Sequence, residues 1–267
     1  MKKIFVSLKT LYKAATVVAG LMATLGLGSC DAGKPKADDD GEAALRKAGY
    51  TPAPQITGVQ QNGPNGFVIT GQADPDGRVR FLYGQQRAIG VTADSKGRFR
   101  AELPAGQMGG LYDLSIEDTG RLLHAEGRLF VPPMHPTKAV LMRTGSPSQS
   151  LFNQSEALAV MDYDGAGAVA FSGRVAPRTQ VNFILNGEIR ARVTSDDKGF
   201  YSATGQMNAP GSAPAVIGLG LQAGAIQATH QVPVSLPATA DQVTPQGDGW
   251  RVDWVVPGGG IQTTIVF

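Results

Sequence analysis

Short segments in which apolar and polar residues alternate recur between residues 55 and 237, separated by Gly, Pro, Asn and Asp. In one of them Val79, Phe81 and Tyr83 share one face, and Arg78 and Arg80 lie on the other. A period of two residues is typical of a strand with one buried face. The predicted strands are 55–60, 67–70, 79–83, 88–92, 99–103, 111–117 and 122–131, followed by 169–171, 181–185, 189–194, 200–203, 215–222 and 226–234.

One stretch of this pattern occurs twice, because residues 71–101 align without a gap on residues 173–203. A repeat longer than one hairpin indicates two copies of one folded unit. About seven short strands in each copy favour a β-sandwich. We therefore predict an all-β protein with two sandwiches and two separate cores. The matched positions are Gly71/Gly173, Pro75/Pro177, Val79/Val181, Phe81/Phe183, Val91/Val193, Thr92/Thr194, Asp94/Asp196, Lys96/Lys198, Gly97/Gly199 and Ala101/Ala203.

The positions that match are apolar strand residues and turn formers, which indicates a shared core rather than a shared active site. Residues 94–97 and 196–199 predict one turn, in which the Asp side chain accepts a backbone N–H two residues on and Gly supplies positive φ. The pattern resembles the bacterial immunoglobulin-like domains of surface proteins, which implies spacer, adhesion or scaffold modules without catalytic residues. The residues of this resemblance are Gly71, Pro75, Val79, Phe81, Asp94, Gly97 and Phe99, then Gly173, Pro177, Val181, Phe183, Asp196, Gly199 and Tyr201.

The first 29 residues have a basic start and an apolar run over 14–27. This run is shorter than the roughly 20 residues that span a bilayer, so it predicts a cleaved signal peptide. Leu27, Gly28, Ser29 and Cys30 follow the pattern aliphatic, small, small, cysteine, which resembles the lipobox of bacterial lipoproteins. The resemblance implies a diacylglyceryl thioether on Cys30, usually with a third chain such as palmitate on its amine. Acyl chains contribute about 0.8 kcal/mol per buried CH₂, so two or three would anchor the protein in a membrane.

Loss of the leader changes the charge of the protein. Four of its basic residues, Lys2, Lys3, Lys9 and Lys13, precede the cleavage site with no acidic residue among them, so the net charge falls from +2 to −2. A nucleic-acid partner is therefore not expected. Residues 30–55 are small and polar and predict a flexible tether that reaches on the order of 30 Å.

The sequence does not decide whether the protein is anchored in the inner or the outer membrane. Asp31 resembles the signal that retains lipoproteins in the inner membrane of enteric bacteria. That rule does not hold in every bacterial lineage, and we place the protein at the outer membrane or cell surface in preference to the inner membrane.

Residues 239–267 match neither copy and predict a C-terminal hairpin. A four-residue loop at 257–260 sets Trp254 against Thr263 and Trp250 against Phe267, with all the large side chains on one face. An isolated hairpin is marginal in water, so this face must be covered. It either packs on the second sandwich or exposes Trp250 and Trp254 as a face for a sugar or another partner.

Motifs of catalysis or cofactor binding are absent from the sequence. His124, His135 and His230 are far apart and have no evident carboxylate partners. Residues 74–77 and 162–165 are rich in Asp, yet both predict turns rather than calcium loops, since no distal Glu follows the first of them. We predict no enzyme activity, no cofactor and no metal site.

Five regions follow from these patterns: a lipoprotein signal peptide (1–29), the lipidated Cys30 and tether (30–55), two sandwiches (56–134 and 135–238) and the hairpin (239–267). The predicted function is a membrane-anchored lipoprotein of the cell envelope that acts as a structural, adhesion or protein-interaction scaffold. The alternative is a polysaccharide- or peptidoglycan-binding lipoprotein that uses the C-terminal aromatic face. The envelope protein or polysaccharide it would contact is not identified by the sequence.

Overall fold

The structure is a computed structural model that describes residues 51–64, 66–84, 87–118, 121–152, 157–211 and 215–267. Regular structure in these residues is antiparallel β-strand, apart from one turn of 3-10 helix. The prediction of an all-β protein is confirmed. Within the described part of the chain, no helix is long and apolar enough to cross a membrane.

The first copy of the repeat forms seven strands, here called the first module. Its two sheets have the strand orders β1-β2-β5 and β4-β3-β6-β7. Inward side chains of both sheets meet in one core, which includes Phe67 and Ile69 of one sheet and Phe81 and Leu114 of the other. The strands are β1 (Gln55–Gln61), β2 (Gly66–Gln72), β3 (Arg78–Tyr83), β4 (Arg87–Thr92), β5 (Arg98–Pro104), β6 (Gly110–Asp118) and β7 (Arg121–Val131).

A connecting segment follows the first module and extends its second sheet. It contains the 3-10 turn Pro136–Lys138 and the strands β8 (Val140–Arg143) and β9 (Gln149–Ser150). β8 pairs with β7, and β9 pairs with β8. Residues 140–150, which the sequence pattern assigned to the second sandwich, therefore complete a sheet of the first module.

The second copy, here called the second module, repeats the arrangement strand for strand. The corresponding sheets have the orders β14-β11-β10 and β13-β12-β15-β16. Phe171, Phe183 and Tyr201 form the aromatic centre of its core. The strands are β10 (Leu158–Asp164), β11 (Ala168–Arg174), β12 (Gln180–Leu185), β13 (Glu188–Thr194), β14 (Phe200–Gln206), β15 (Ala215–Ala223) and β16 (Ile226–Val234).

The turn shared by the two copies has the predicted geometry. Asp94 Oδ1 accepts hydrogen bonds from the backbone N–H groups two and four residues further on, each at 2.9 Å, and Gly97 has φ +78°. Asp196 accepts the corresponding pair at 2.8 Å, and Gly199 has φ +80°. A side chain at either glycine would also be strained by the left-handed backbone. The matched residues therefore conserve a turn in both modules.

The first matched glycine of each copy is required for packing. A Cβ on Gly71 would lie 2.1 Å from the Phe99 ring, and a Cβ on Gly173 would lie 2.5 Å from the Tyr201 hydroxyl oxygen. In both modules an aromatic side chain of the neighbouring strand covers the glycine, since Gly71 pairs with Phe99 and Gly173 with Tyr201. In both copies, therefore, an aromatic ring packs directly on the backbone of a glycine.

The C-terminal residues form three strands that extend a sheet of the second module. They are β17 (Gln242–Gln246), β18 (Gly249–Val255) and β19 (Ile261–Val266). β19 pairs with β10, so the full sheet has the order β14-β11-β10-β19-β18-β17. The hairpin is therefore continuous with the second module rather than packed against it from outside.

The register of this hairpin differs by one residue from the predicted register. Trp254 pairs with Gln262, not with Thr263, and Trp250 pairs with Val266, not with Phe267. The cause is the loop, because Val256 and Gly260 form a hydrogen-bonded pair and leave three loop residues instead of four. A shift of one residue turns alternate side chains to the opposite face. Val266 therefore shares a face with the tryptophans, whereas Ile265 joins the core of the second module.

Candidate functional site at the junction of the modules

The chemistry predicted for the N-terminus lies outside the described residues. This applies to the signal peptide, to Leu27, Gly28, Ser29 and Cys30, to Asp31 and to the tether up to residue 50. Among the predicted site residues, only Trp250 and Trp254 fall in the described part of the chain. The site below is therefore built around these two side chains.

A third apolar cluster joins the two modules, and we call it the junction core. The sequence predicted only two cores, because the junction core contains residues from segments that are distant along the chain. It receives Phe130 from the first module, β8 from the connecting segment, β10 from the second module, and the C-terminal hairpin. Its members are Phe130, Val140, Met142, Ala159, Val160, Val252, Trp254 and Val266.

Trp254 lies at the centre of the junction core and has no exposed surface. Its indole Nε1–H donates to Thr264 Oγ1 at 3.1 Å, which satisfies the only polar atom of the ring. Burial follows from the hairpin register, which turns Trp254 toward β8 and β10. Of the two alternatives left open for the hairpin, an exposed face that uses both tryptophans is therefore excluded for Trp254.

Trp250 lies at the margin of the junction core and is partly exposed. The ring of His135 lies 5.4 Å from it between centroids, and Lys138 Nζ lies 6.0 Å from its centroid. Both neighbours come from the connecting segment. Trp250 therefore packs against the segment between the modules, and neither the second sandwich alone nor an open aromatic platform describes its surroundings.

A buried carboxylate attaches the connecting segment to the second module. Asp162 is 5% exposed, and its Oδ2 accepts the Ser148 backbone N–H at 2.7 Å. Its Oδ1 accepts the hydroxyl groups of Ser148 and Thr264, also at 2.7 Å. Ser172 Oγ donates to the carbonyl oxygen of Ser148. We call Ser148, Asp162, Ser172 and Thr264 the carboxylate cluster.

The sequence predicted residues 162–165 as a hairpin loop, and this was wrong for the first three, which belong to β10. Asp162 and Tyr163 lie inside the strand, and Asp164 is its last residue, from which the turn begins. β10 is buried along nearly its whole length because the core of the second module covers one face and the junction core covers the other. A strand buried on both faces loses the alternation by which strands are detected in a sequence.

Burial raises the pKa of the Asp162 carboxyl above its ordinary value, and the hydrogen bonds of the carboxylate cluster act in the opposite direction. The same carboxylate borders a cavity of about 250 Å³ that is lined by Gly145, Pro147 and Gln262, among others. Both carboxylate oxygens are already engaged by donors of the cluster. The arrangement is suited to holding Ser148 in place.

Two arginines add charged contacts around the junction. Arg128 of β7 contacts Asp113 at 2.6 Å and both oxygens of Asp241 at 2.8 Å, although Asp241 follows the second module in the chain. Arg251 of β18 contacts Asp253 at 3.1 Å and donates to Leu236 O at 2.9 Å. Arg128 thus links the modules, whereas Arg251 fixes the segment that leaves β16.

A groove of about 520 Å³ runs along β16 beside the turn that joins β17 to β18. Its lining includes Lys138, His230, Asp248 and Phe267. The rings of His230 and Phe267 are 4.6 Å apart. Polar residues such as Thr229, Gln231 and Gln246 line the groove together with the apolar Phe267 and Ile265, the latter being buried in the core of the second module.

Metal ligands do not cluster in the residues that the structure describes: no three His, Cys, Asp or Glu side chains come together there. His135 and His230 contact aromatic rings. The junction features were not predicted because Asp162, Ser148 and Thr264 lie on three separate segments without a shared motif. The one available signal was the apolar run before Asp162, which is too continuous for a surface loop.

The sequence matches no protein-family model and no curated protein.

Proposed function

We propose that the chain is a non-enzymatic lipoprotein of the cell envelope that carries a coupled pair of immunoglobulin-like sandwiches as a structural or protein-interaction scaffold. The sheet orders support the immunoglobulin-like assignment, because in each module the seven repeated strands pack three against four in the same strand order, and the strands outside the repeat extend one sheet of each module. The pattern of Leu27, Gly28, Ser29 and Cys30 supports the anchor.

The junction core is the observation that carries the scaffold function. Domains joined by a small polar interface move relative to one another as a rule. Here the interface has an apolar centre at Trp254 with the carboxylate cluster and the Arg128–Asp241 ion pair beside it. A pair of modules that share a core in this way is suited to a structural or scaffold role.

Membrane attachment is tested in cells with a clickable palmitate label. We expect the wild-type chain to incorporate the label and to sediment with membranes, and Cys30→Ala to do neither. Asp31→Ala is the matched control, because it alters the residue beside the anchor and keeps the thiol. Equal labelling of wild type and Cys30→Ala would refute the anchor.

The location and role are tested separately. Protease treatment of intact cells, compared with permeabilised cells, distinguishes the cell surface from the periplasm. Crosslinking followed by purification of the tagged full chain identifies envelope partners. Hydrolytic or transfer activity that maps to residues of this chain would refute the non-enzymatic assignment.

The polysaccharide-binding alternative used an exposed face of Trp250 and Trp254. Trp254 is fully buried, and Trp250 is flanked by His135 and Lys138. The alternative therefore has no support from the geometry of these residues, and the scaffold is the function that the structure favours.

A further inference from the structure

One sheet edge differs between the two modules. In the first module β8 pairs with the outer edge of β7 at Gly127, Arg128, Leu129 and Phe130. In the second module β16 occupies the place of β7 but is the last strand of its sheet. Among the residues that the structure describes, no strand pairs with the outer edge of β16, and the groove of about 520 Å³ lies along that edge.

The two edges can be aligned residue by residue. Val131 and Val232 are buried residues followed by Pro132 and Pro233, and each pairs with a strand in the same position of its sheet. This alignment places Arg128 on Thr229, Leu129 on His230, and Phe130 on Gln231. Thr229, His230 and Gln231 line the groove. The groove therefore occupies the place that β8 fills in the first module.

The backbone of β16 presents hydrogen-bonding groups to this groove. Asn186 donates its N–H to Gly218 O, so Gly218 directs its backbone groups toward β12. Directions alternate along an antiparallel strand, so Leu219 and its partner His230 bond to each other. Thr229 and Gln231 consequently direct their backbone N–H and C=O groups away from β15, toward the groove. The residues aligned with them in the first module are Arg128 and Phe130, which pair with β8.

The far end of the same edge is closed. Pro233 has no N–H to offer, and Gln246 Nε2 donates to its carbonyl oxygen at 3.2 Å. A side chain thus bonds the carbonyl at this end.

We propose that the edge of β16 is a docking site for an extended segment of a partner polypeptide, which pairs antiparallel with Thr229–Gln231. The occupant is inferred from the first module, where the corresponding edge accepts an extended strand with the sequence Val140-Leu141-Met142-Arg143. Strand addition obtains its affinity from main-chain hydrogen bonds and its specificity from alternate side chains. The partner segment places apolar side chains at alternate positions, beside Phe267, which lines the groove.

The test uses a fluorescent peptide with residues 138–145 of the chain, because this segment contains β8. Binding to the full mature chain is measured by anisotropy. Gln231→Pro removes an outward N–H, whereas Gln231→Ala keeps it. We expect Gln231→Ala to bind as wild type does and Gln231→Pro to bind about tenfold more weakly, as the loss of one hydrogen bond implies. Circular dichroism and thermal unfolding establish that both variants fold.

A pair of modified peptides makes the test independent of the protein variants. N-methylation of Met142 blocks an amide on the side that faces the strand edge, and N-methylation of Leu141 blocks an amide on the opposite side. Only the first is expected to abolish binding. Absence of binding by the unmodified peptide, or equal binding by both methylated peptides, overturns the proposal. Self-association of the free chain that Gln231→Pro abolishes would assign the edge to a second copy and would also overturn it.

Discussion

The two modules share their interiors and differ at their edges. In both, a glycine lies beneath an aromatic ring and an Asp side chain organises the same turn. At the edges, the first module receives β8 beside β7, whereas the second receives β19 beside β10. The repeat therefore specifies each fold, and the residues outside the repeat specify how the folds are joined.

This difference separates the stability of each module from the stability of the contact between the modules. Substitutions at repeated positions are expected to affect one module, because each module has its own core. Substitutions in the junction core are expected to affect the coupling between modules, because that core takes residues from both.

The largest effect is expected from Trp254→Ala. The side chain is fully buried in the junction core, and truncation of a buried Trp costs about 3–5 kcal/mol. We expect denaturant unfolding to change from one transition toward two as the modules lose their common core. Trp250→Ala is the matched control and is expected to cost less, because Trp250 is partly exposed. Equal losses for the two variants would contradict a central role for Trp254.

Gly71→Ala and Gly173→Ala are expected to destabilise one module each. An added Cβ would lie 2.1 Å from Phe99 in the first case and 2.1 Å from a backbone oxygen in the second. Overpacking of this kind costs about 1–3 kcal/mol. Gly205→Ala is the control, since its Cβ has 3.8 Å to the nearest atom. Because the junction core couples the modules, thermal unfolding of either variant should show one transition with a lower midpoint than that of wild type, whereas Gly205→Ala should unfold as wild type does.

The contrast between repeat and junction also explains what could be predicted from the sequence. The strands of both modules, except β10, were predictable because positions such as Phe99 and Ala101 alternate with exposed residues. The turn at Asp94 was predictable because its hydrogen bonds are local. Both features depend on residues that are only a few positions apart, so they can be recognised in the sequence.

The junction depended on information that is not local. β10 was missed because both of its faces are buried, and the hairpin register was missed because one loop residue decides it. The partners of Asp162 come from residues 148 and 264, which no spacing rule connects. Tertiary contact between distant segments determines the burial of β10 and the partners of Asp162, so a single sequence does not reveal them.

The carboxylate cluster predicts a dependence of stability on pH. The pKa of Asp162 is higher in the folded chain than the ordinary value of 3.8, because burial disfavours the anion. At a pH between 3.8 and the pKa in the folded chain, the folded chain binds more protons than the unfolded chain. Asp162 therefore adds to the free energy of unfolding as the pH falls through this range, and this contribution is lost as the pH rises. The free energy of unfolding of wild type relative to Asp162→Asn should therefore increase on acidification. A difference that stays constant with pH would contradict the assigned pKa direction.

The smallest effect is expected from Arg128→Ala. Arg128 links β7 to Asp241 across the junction, but the two carboxylates it contacts are each about two-fifths exposed. Water therefore screens much of the attraction, and we expect a loss of about 0.5–1 kcal/mol in urea unfolding at low salt, reduced at high salt. Arg100→Ala is the matched control, because its ion pair with Glu102 lies on one strand of the first module and is more exposed. If both variants lose the same stability, Arg128 acts as an ordinary surface charge and the coupling of the modules rests on the junction core and the carboxylate cluster.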